Sequence, residues 1–450
     1  MFSDIIVIGG GASGLLAAIG ASNTLRSDGT RPVVTLLEKM PRVGRKIMIT
    51  GKGRCNFTNL KNWEDFSAHI RTKSAFLRPA FYNLPPEGMI SLLEKASLAS
   101  VVERGDRVFP ESHRSVDVVD TLLSIARRKA NVVCGVEVRK IVCNESSTGP
   151  VFLLSTDGTR TYSCSRLIVC TGGLSYPTTG SSGDGYAFAR DFGHSIVETF
   201  PSLTAMVPKG YKTSGAQKDG HLDRSVPLSE TGSALQGIHL KNTSARLIVG
   251  GNTIQEEFGE LDFTDGGIEG PIGFSLSRNA VKALRNGART ELSLDLKPAV
   301  EGEDLRERLR GLWNEVKKAP GGKSLSIRSA LEALLEKLMP RDMVRGFILT
   351  NPSILQGRKG NERIEMDTLC RCLKDWRFPL EGYVGYERCV VTAGGISTAE
   401  VVAKTMESRL RSGLYFSGEV LDIDCDTGGY NLQVAFSTGY LAGQSAARSL

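Results

Sequence analysis

At 450 residues the chain is too long for one ordinary hydrophobic core, and two or three domains are expected. A 40% hydrophobic and 23% charged composition excludes a disordered or fibrous chain, and the net charge of +7 fits an anionic ligand, RNA or a solvated basic surface alike. The nine cysteines are odd in number and scattered, with no CxxC pair; Cys370 and Cys372 form only a CxC. A disulfide framework or structural zinc is therefore not expected, and a reducing compartment fits. The apolar run Ile5–Ala21 lacks a basic leader, is preceded by Asp4 and is broken by Gly9, Gly10, Gly11 and Gly14, so it reads neither as a signal peptide nor as a membrane span. No other stretch is long and apolar enough to span, and a cytoplasmic protein without a membrane partner is expected.

In chain order, Asp4–Ile8 reads as a buried strand, Ala12–Ser22 as a small-residue helix and Val33–Glu38 as a second strand, with Arg26–Pro32 a polar connection. This is a βαβ unit at the very start. Glu87–Ala99 and Val116–Lys129 have helical periodicity, Asn131–Val142 and Val151–Ser155 read as strands, and Arg166–Cys170 is a short apolar strand that runs into Thr171-Gly172-Gly173. Lys209–Ser233 is polar, turn-rich and aperiodic, and is expected to be a flexible surface loop. Ala245–Glu256 alternates around Gly250-Gly251-Asn252 as a hairpin does, and Glu291–Leu296 adds a strand. Glu303–Lys318, Ser326–Leu338 and Asp367–Trp376 are helical in pattern; strands return from Arg377, and Leu432–Ser449 is a closing helix rich in Ala and Gly. There are no internal repeats.

The first chemical motif is Gly9-Gly10-Gly11-Ala12-Ser13-Gly14, a GxGxxG between strand and helix, with the acid Glu38 at the end of the next strand. Gly9 permits the tight turn, Gly11 lets a pyrophosphate reach the backbone, and Gly14 lets helix and strand pack closely. The helix N-terminus offers free N–H groups and partial positive charge. Glu38 suits ribose hydroxyls and repels a 2′-phosphate, which disfavours NADP at this position. Next come Arg42-Val43-Gly44-Arg45-Lys46 and Gly51-Lys52-Gly53-Arg54-Cys55-Asn56, basic residues interleaved with glycine. They suit a phosphate-rich, flavin-facing loop, or simply a basic surface loop. Thr171-Gly172-Gly173 ends a strand as chain passing close to a cofactor does. Gly418-Glu419 and Gly428-Gly429-Tyr430-Asn431-Leu432-Gln433 end a strand and open the closing helix. That second helix start is a further source of positive dipole, suited to negative charge on a reduced flavin.

Together these motifs resemble the bacterial FAD-dependent NAD(P)/FAD oxidoreductases of the HI-type, aminoacetone-oxidase-like flavoproteins (the BaiN/RdsA family). The resemblance runs over nearly the whole chain. It is carried by GRKIMITGKGRCNFTN (Gly44–Asn59), TGGLSYPTTGSSGDGYAFARDFGH (Thr171–His194), ELDFTDGGIEGP (Glu260–Pro271), VTAGGIS (Val391–Ser397) and GLYFSGEVLDIDCDTGGYNLQVAFSTGYLAG (Gly413–Gly443). It implies an α/β fold: a discontinuous Rossmann-type FAD-binding domain (residues 1–198 and 392–450), an inserted β-barrel-like domain (199–299 and 377–391) and a helical subdomain (300–376). It implies FAD contacts at Gly9, Gly11, Gly14, Glu38, Lys39, Arg45, Gly53, Arg54 and Asn56, and at Gly418, Glu419, Tyr430, Asn431 and Gln433. Ala12, Ser13, Lys46, Val136, Thr171, Gly172, Gly173 and Gly429 complete the expected cofactor set. Two features depart from the family: the polar loop Lys209–Ser233 is long, and Cys425 stands where a small residue is usual.

Family members are linked to reduction of carbon–carbon double bonds, in substrates from bile-acid intermediates to a ribosomal RNA uridine. The expected chemistry is transfer of hydride from reduced FAD to an electron-poor C=C. NAD(P)H would be a transient donor, since no second GxGxxG appears in strand–helix context. The expected partner is a small-molecule substrate or ribosomal RNA; a flavin-binding protein without activity is the alternative from another class. Cys55, the only cysteine inside a cofactor motif, is a candidate proton donor with Arg54 favouring its thiolate; packing beneath the loop is the preferred role. His113 and His194 are conceivable acids that read more simply as loop histidines.

Overall fold

The computed structural model describes residues 1–146, 149–158, 160–357 and 362–450. The chain divides into two compact units: Met1–Phe200 with Val390–Leu450, and Pro201–Cys389.

The first unit is built on a seven-stranded sheet. The Phe2–Ile8 strand lies at its centre, parallel to Val34–Glu38 on one side and to Thr161–Val169 on the other. Asn131–Cys134 adds a parallel strand beyond Val34–Glu38, and Leu414–Phe416 pairs in parallel with Leu167, Ile168 and Val169. Ile5 to Ile8 are all buried, as expected where helices cover both faces of a parallel sheet. The Ala12–Asn23 helix is buried from Ser13 to Ser22, so it lies inside the unit rather than on it.

The closing helix, Tyr430–Arg448, packs on Ala12–Asn23 through glycine. A Cβ at Gly439 would overlap the carbonyl oxygen of Ser13, and one at Gly443 the carbonyl oxygen of Ala17. A Cβ at Gly20 would come within 2.5 Å of the Tyr440 carbonyl oxygen from the other side. The two backbones are thus closer than any side chain allows.

In the second unit, six strands close on themselves. Met206–Pro208, Ile268–Glu269, Asn252–Phe263, His239–Val249, Thr290–Asp295 and Trp376–Val384 pair in that order, and Trp376–Val384 returns to Met206–Pro208. This is the expected barrel, and the hairpin at Gly250-Gly251 is part of it. The helices from Gly302–Lys318 to Met366–Lys374 belong to the same unit.

Two expectations need correction, and one helix was not foreseen. Asn131–Val142 is two strands, Asn131–Cys134 and Val138–Ser146, on opposite edges of the sheet. The chain turns at Gly135, whose φ of 73° ends the extended run. Lys209–Ser233 is not a free loop: Tyr211 and Lys212 are buried, and the Tyr211 hydroxyl donates to the Thr264 carbonyl at 2.7 Å. Lys212 Nζ donates to the carbonyls of Arg224 and Val226, and His221–Leu222 pairs with Trp376–Val384. Polar composition hid these tertiary hydrogen bonds. The Gly270–Arg285 helix goes unread in the sequence, although Pro271 stands in its first turn and Ile272, Leu276, Ala280 and Leu284 form its buried stripe. Among the described residues no helix is long and apolar enough to cross a membrane.

The helix contact generates a test. Gly443→Val must separate the two helices or distort them, and overpacking of this kind costs about 1–3 kcal/mol or more. The variant is expected to melt several degrees below wild type in calorimetry, with or without ligand.

Candidate functional site

The glycine turn after the first strand does two different jobs. Gly9 (φ 100°) donates its N–H to Leu37 O at 2.8 Å, and a Cβ there would lie 2.5 Å from Cys170 O. A Cβ on Gly14 would overlap the Gly9 carbonyl oxygen. These two glycines are required by the fold itself. Gly11 is not: nothing lies within 4 Å of a Cβ built there. Gly11 is also the N-cap of the Ala12–Asn23 helix and makes no side-chain cap hydrogen bond, so the helix start beside that open space is left uncapped by its N-cap residue.

Glu38 closes one side. Its Oε2 accepts from Gly10 N at 2.6 Å and its Oε1 from Met40 N at 2.7 Å. Burial pushes its carboxyl above the ordinary value, opposed by those two amides and by Lys39 and Arg45. Val136 N–H donates to the Glu38 carbonyl at 3.0 Å, which places the Gly135 turn beside the acid. Lys39 pairs with Asp184 at 2.6 Å and meets Ser182, and Arg45 reaches the Thr178 carbonyl at 3.3 Å. These contacts join the Thr171–Asp184 segment to the first motif.

The next loop has left-handed backbone at Gly51 (φ 57°), Lys52 (57°), Gly53 (87°) and Cys55 (59°). For Lys52 and Cys55 that conformation costs on the order of 1–3 kcal/mol, which the surrounding structure must hold. Two side-chain oxygens on these motifs are buried without a partner, Asn56 Oδ1 and Thr171 Oγ1. A Cβ on Gly429 would lie 2.9 Å from that Asn56 oxygen, so the loop meets the start of the closing helix there. Uncapped amides, open space at Gly11 and orphaned oxygens on three converging segments fit a long polar ligand with a pyrophosphate centre.

The chain matches the family model described as HI0933-like protein Rossmann domain over residues 3–445. It belongs to the HI0933-like family. Two relatives align over nearly their full length. The 3-dehydro-bile acid delta(4,6)-reductase of Clostridium scindens is 31% identical over 98% of each chain. A ribosomal RNA dihydrouridine synthase of Haemophilus influenzae is 29% identical over 99% of each. Among solved structures, 3-ketosteroid delta1-dehydrogenase from Sterolibacterium denitrificans, in complex with 1,4-androstadiene-3,17-dione, superposes with a TM-score of 0.50 at 12% identity over 100% of both chains, a likeness of fold. The chain is an FAD-dependent oxidoreductase with a Rossmann-type FAD-binding fold.

Within this HI0933-like chain, several side chains expected at the cofactor are turned into the protein. Tyr430 stacks on His69 with ring centroids 4.3 Å apart and meets Phe66 edge-on. Asn431 Oδ1 accepts from Cys425 N at 2.9 Å, and its Nδ2 donates to the carbonyls of Cys425 and Asp426. Gln433 accepts from the Thr58 hydroxyl at 2.6 Å and donates to Leu84 O and Ser437. What Gly429 to Gln433 leave at the site is helix-start backbone. Gly418 N donates to Thr438 Oγ1 at 3.0 Å, and a Cβ there would lie 2.5 Å from Ser13 Oγ. Gly172 and Gly173 are likewise packed: a Cβ on Gly173 would lie 2.5 Å from Thr392 Oγ1.

The Cys55 thiol is fully buried, and burial pushes it up to about 12, with a hydrogen bond to Thr50 opposing. Arg54 does not favour a thiolate there. Its guanidinium lies 4.4 Å over the Phe109 ring, pairs with Glu103 and meets His113 Nδ1 at 3.0 Å. His194 lies, as expected, in a loop, between the Asp184–Asp191 helix and the Ile196–Ser202 strand, but it is buried: its Nε2 meets Ser408 Oγ at 2.7 Å and its Nδ1 lies 3.2 Å from Glu400. Sequence reasoning gave no role to Ser175 and Thr392, both fully buried within matched motifs. Their only sequence signal is a lone hydroxyl beside glycine-rich turns.

Two tests follow from this geometry. Gly11→Val should keep the apo-protein melting temperature and lose FAD, whereas Gly14→Ala should lower the melting temperature of the apo-protein itself. FAD stabilises wild type by about 2.7 kcal/mol at a hundredfold excess over Kd, and Gly11→Val should gain none of it. For His194, burial holds the imidazole below its ordinary 6.5, with Glu400 opposing. The unfolded chain therefore takes the proton first, so stability is full above about pH 6.5 and declines as the pH falls below it. His194→Gln should flatten the melting-temperature profile between about pH 7.5 and 5.5.

Proposed function

We propose that the protein saturates an electron-poor carbon–carbon double bond of a small molecule, at a site formed by the glycine turn, the Gly51–Asn56 loop and the start of the closing helix. The observation that carries this reading is the full-length relationship to a 3-dehydro-bile acid delta(4,6)-reductase, together with the open, uncapped turn at Gly11. Saturating such a bond takes one hydride and one proton; bound FAD, once reduced by NAD(P)H or another two-electron donor, would supply the hydride, and water or a protein acid the proton.

The chain's own residues bind and orient. The amides of Ala12 and Ser13 receive the pyrophosphate, with Gly11 giving it room. Glu38 accepts from ribose hydroxyls through the lone pairs that Gly10 and Met40 leave. Lys39, Arg45, Lys46 and Arg54 supply positive charge, and Asn56 Oδ1 and Thr171 Oγ1 gain the partners they lack. Gly53, Gly172, Gly173, Gly418 and Gly429 let backbone come close, and Val136 lines the adenosine end beside Glu38. Nine free thiols support work in a reducing, cytoplasmic setting.

A second reading has its own support, in two relatives named ribosomal RNA dihydrouridine synthase, 29% and 28% identical. A uridine C5=C6 bond is conjugated to a carbonyl, as is the double bond of a 3-oxo-Δ4 steroid. The two readings therefore share one electrophile and differ in how it is delivered. The deciding experiment is anaerobic. The yellow protein is reduced, then offered a 3-oxo-Δ4 steroid, a 3-oxo-Δ4,6 bile acid or ribosomal RNA lacking dihydrouridine. Re-oxidation by the small enones is expected. Re-oxidation by RNA alone would move the assignment to the second reading, and re-oxidation by oxygen only would remove both.

Cys55→Ala should leave FAD loading and both half-reactions within about threefold of wild type, against the 10²–10⁴-fold loss expected for a general acid. Stability should fall by about 1 kcal/mol from the lost packing. Stopped-flow measurement of each half-reaction checks this.

A further inference from the structure

Lys46 and Glu419 sit on segments far apart in sequence, the Arg45–Ile49 helix and the Gly418–Val420 turn, and meet at 2.6 Å. Their side chains are only 23% and 19% exposed. The Glu419 carboxylate is largely spoken for by protein. Its Oε1 accepts from Ser175 Oγ at 2.6 Å and from Thr392 N at 2.8 Å, and its Oε2 accepts from Lys46. Thr392 Oγ1 in turn accepts from the amides of Leu174 and Ser175, at 2.8 and 3.1 Å. The hydroxyl chain has one direction: Lys46 donates to Ser175 Oγ, and Ser175 Oγ donates to Glu419.

A lysine ammonium has three hydrogens. Ser175 and Glu419 take two, and among the described residues the third has no acceptor. A flexible four-carbon side chain is here pinned at two points, which leaves one charge-assisted donor in a fixed place. Glu38 holds one amide on each oxygen and keeps lone pairs for a ligand, whereas Glu419 has one oxygen filled by two donors and the other bound to a cation.

We propose that Glu419, with Ser175 and Thr392, is a positioning unit for Lys46, and that Lys46 alone of the two makes the contact with the bound cofactor, at one of its anionic groups. The inference rests on the reading above that FAD occupies this cradle. It reverses the role that the Gly-Glu motif suggests for Glu419. That anionic group is the pyrophosphate, which carries the charge of oxidised FAD, the form whose Kd is measured below.

The two roles predict opposite signs. If Glu419 acted by its own charge, Glu419→Gln would remove a negative group near an anion and tighten FAD. If Glu419 were a direct ligand, Glu419→Gln would weaken FAD equally with or without Lys46. If it aims Lys46, Glu419→Gln weakens FAD, but only while Lys46 is present.

The experiment is a double-mutant cycle on the full chain, with FAD Kd measured by fluorescence quenching on apo-protein at two ionic strengths. Lys46→Met and Glu419→Gln are each expected to raise Kd by about tenfold, a 1.4 kcal/mol effect. The double variant should lie within about twofold of Lys46→Met, because the second change has nothing left to act through. The salt dependence of Kd should become shallower in Lys46→Met, which removes a cation, and should not become shallower in Glu419→Gln, which leaves the ammonium present but no longer fixed; a merely structural loss in Lys46→Met would not change that slope. Ser175→Ala supplies the same comparison if Glu419→Gln fails to fold: weaker binding beside Lys46, no further change in the Lys46→Met background. Additive losses, tighter binding in Glu419→Gln, or an unchanged salt slope in Lys46→Met would each overturn the inference. Failure of wild type to bind FAD would instead strike the functional reading itself.

Discussion

The close approach of the Ala12–Asn23 and Tyr430–Arg448 helices is the constraint on which the cofactor cradle depends. Backbone carbonyls of Ser13 and Ala17 lie where a side chain at Gly439 or Gly443 would have to be. Ser13 Oγ donates to Ser417 O at 3.2 Å, and the Gly418 turn passes beside the same hydroxyl. The start of the first helix is therefore fixed by chain more than 400 residues away. An anion site made of helix-start amides needs that rigidity, because its donors are backbone groups whose positions follow the helix axis. Glycine at these crossings removes side-chain packing but lets main chain meet main chain, and the contact gains in dispersion over its length what it loses in side-chain volume.

Charge is arranged around the cradle on one principle. Glu38 is buried and Glu419 partly so, and each is held by donors that the fold supplies: two amides for the first, an amide, a hydroxyl and an ammonium for the second. Burying a carboxylate costs several kcal/mol unless such partners are present. Arg54 stands at the more exposed edge and is steadied by an aromatic face and by Glu103. The result is a site whose acids are committed and whose cations retain donors for an anionic ligand.

The second unit follows the same logic with a different core. Arg388 binds Glu269 at 2.5 Å and Asp265 at 2.6 Å, and also reaches Thr264 Oγ1. This clamps the Thr264–Gly267 turn that precedes the Gly270–Arg285 helix. The turn in turn receives the buried Tyr211 hydroxyl, so the polar segment after Met206–Pro208 is tied to the barrel by hydrogen bonds as well as by the buried Tyr211 and Leu222.

Local sequence was sufficient wherever a pattern and its cause lie in the same stretch of chain. The apolar run Ile5–Ile8, the glycines at fixed spacing and the acid at the end of the next strand belong to one βαβ unit, whose geometry follows from backbone sterics and helix-end amides. The hairpin at Gly250-Gly251 and the small-residue closing helix were legible for the same reason. Tertiary structure alone decided which side chains of the motifs face a ligand and which face the protein. Tyr430, Asn431 and Gln433 stand in a recognisable motif, yet their polar and aromatic groups are satisfied by His69, Asp426 and Leu84, partners that no spacing rule connects. Cys55 stands beside Arg54 in the chain, yet it is buried while Arg54 turns away to Phe109. The joining of Lys46, Ser175, Thr392 and Glu419 is the clearest case. Hydrogen-bond partners hundreds of residues apart are chosen by folding, because a buried polar group takes whichever complementary group the packed chain brings within reach.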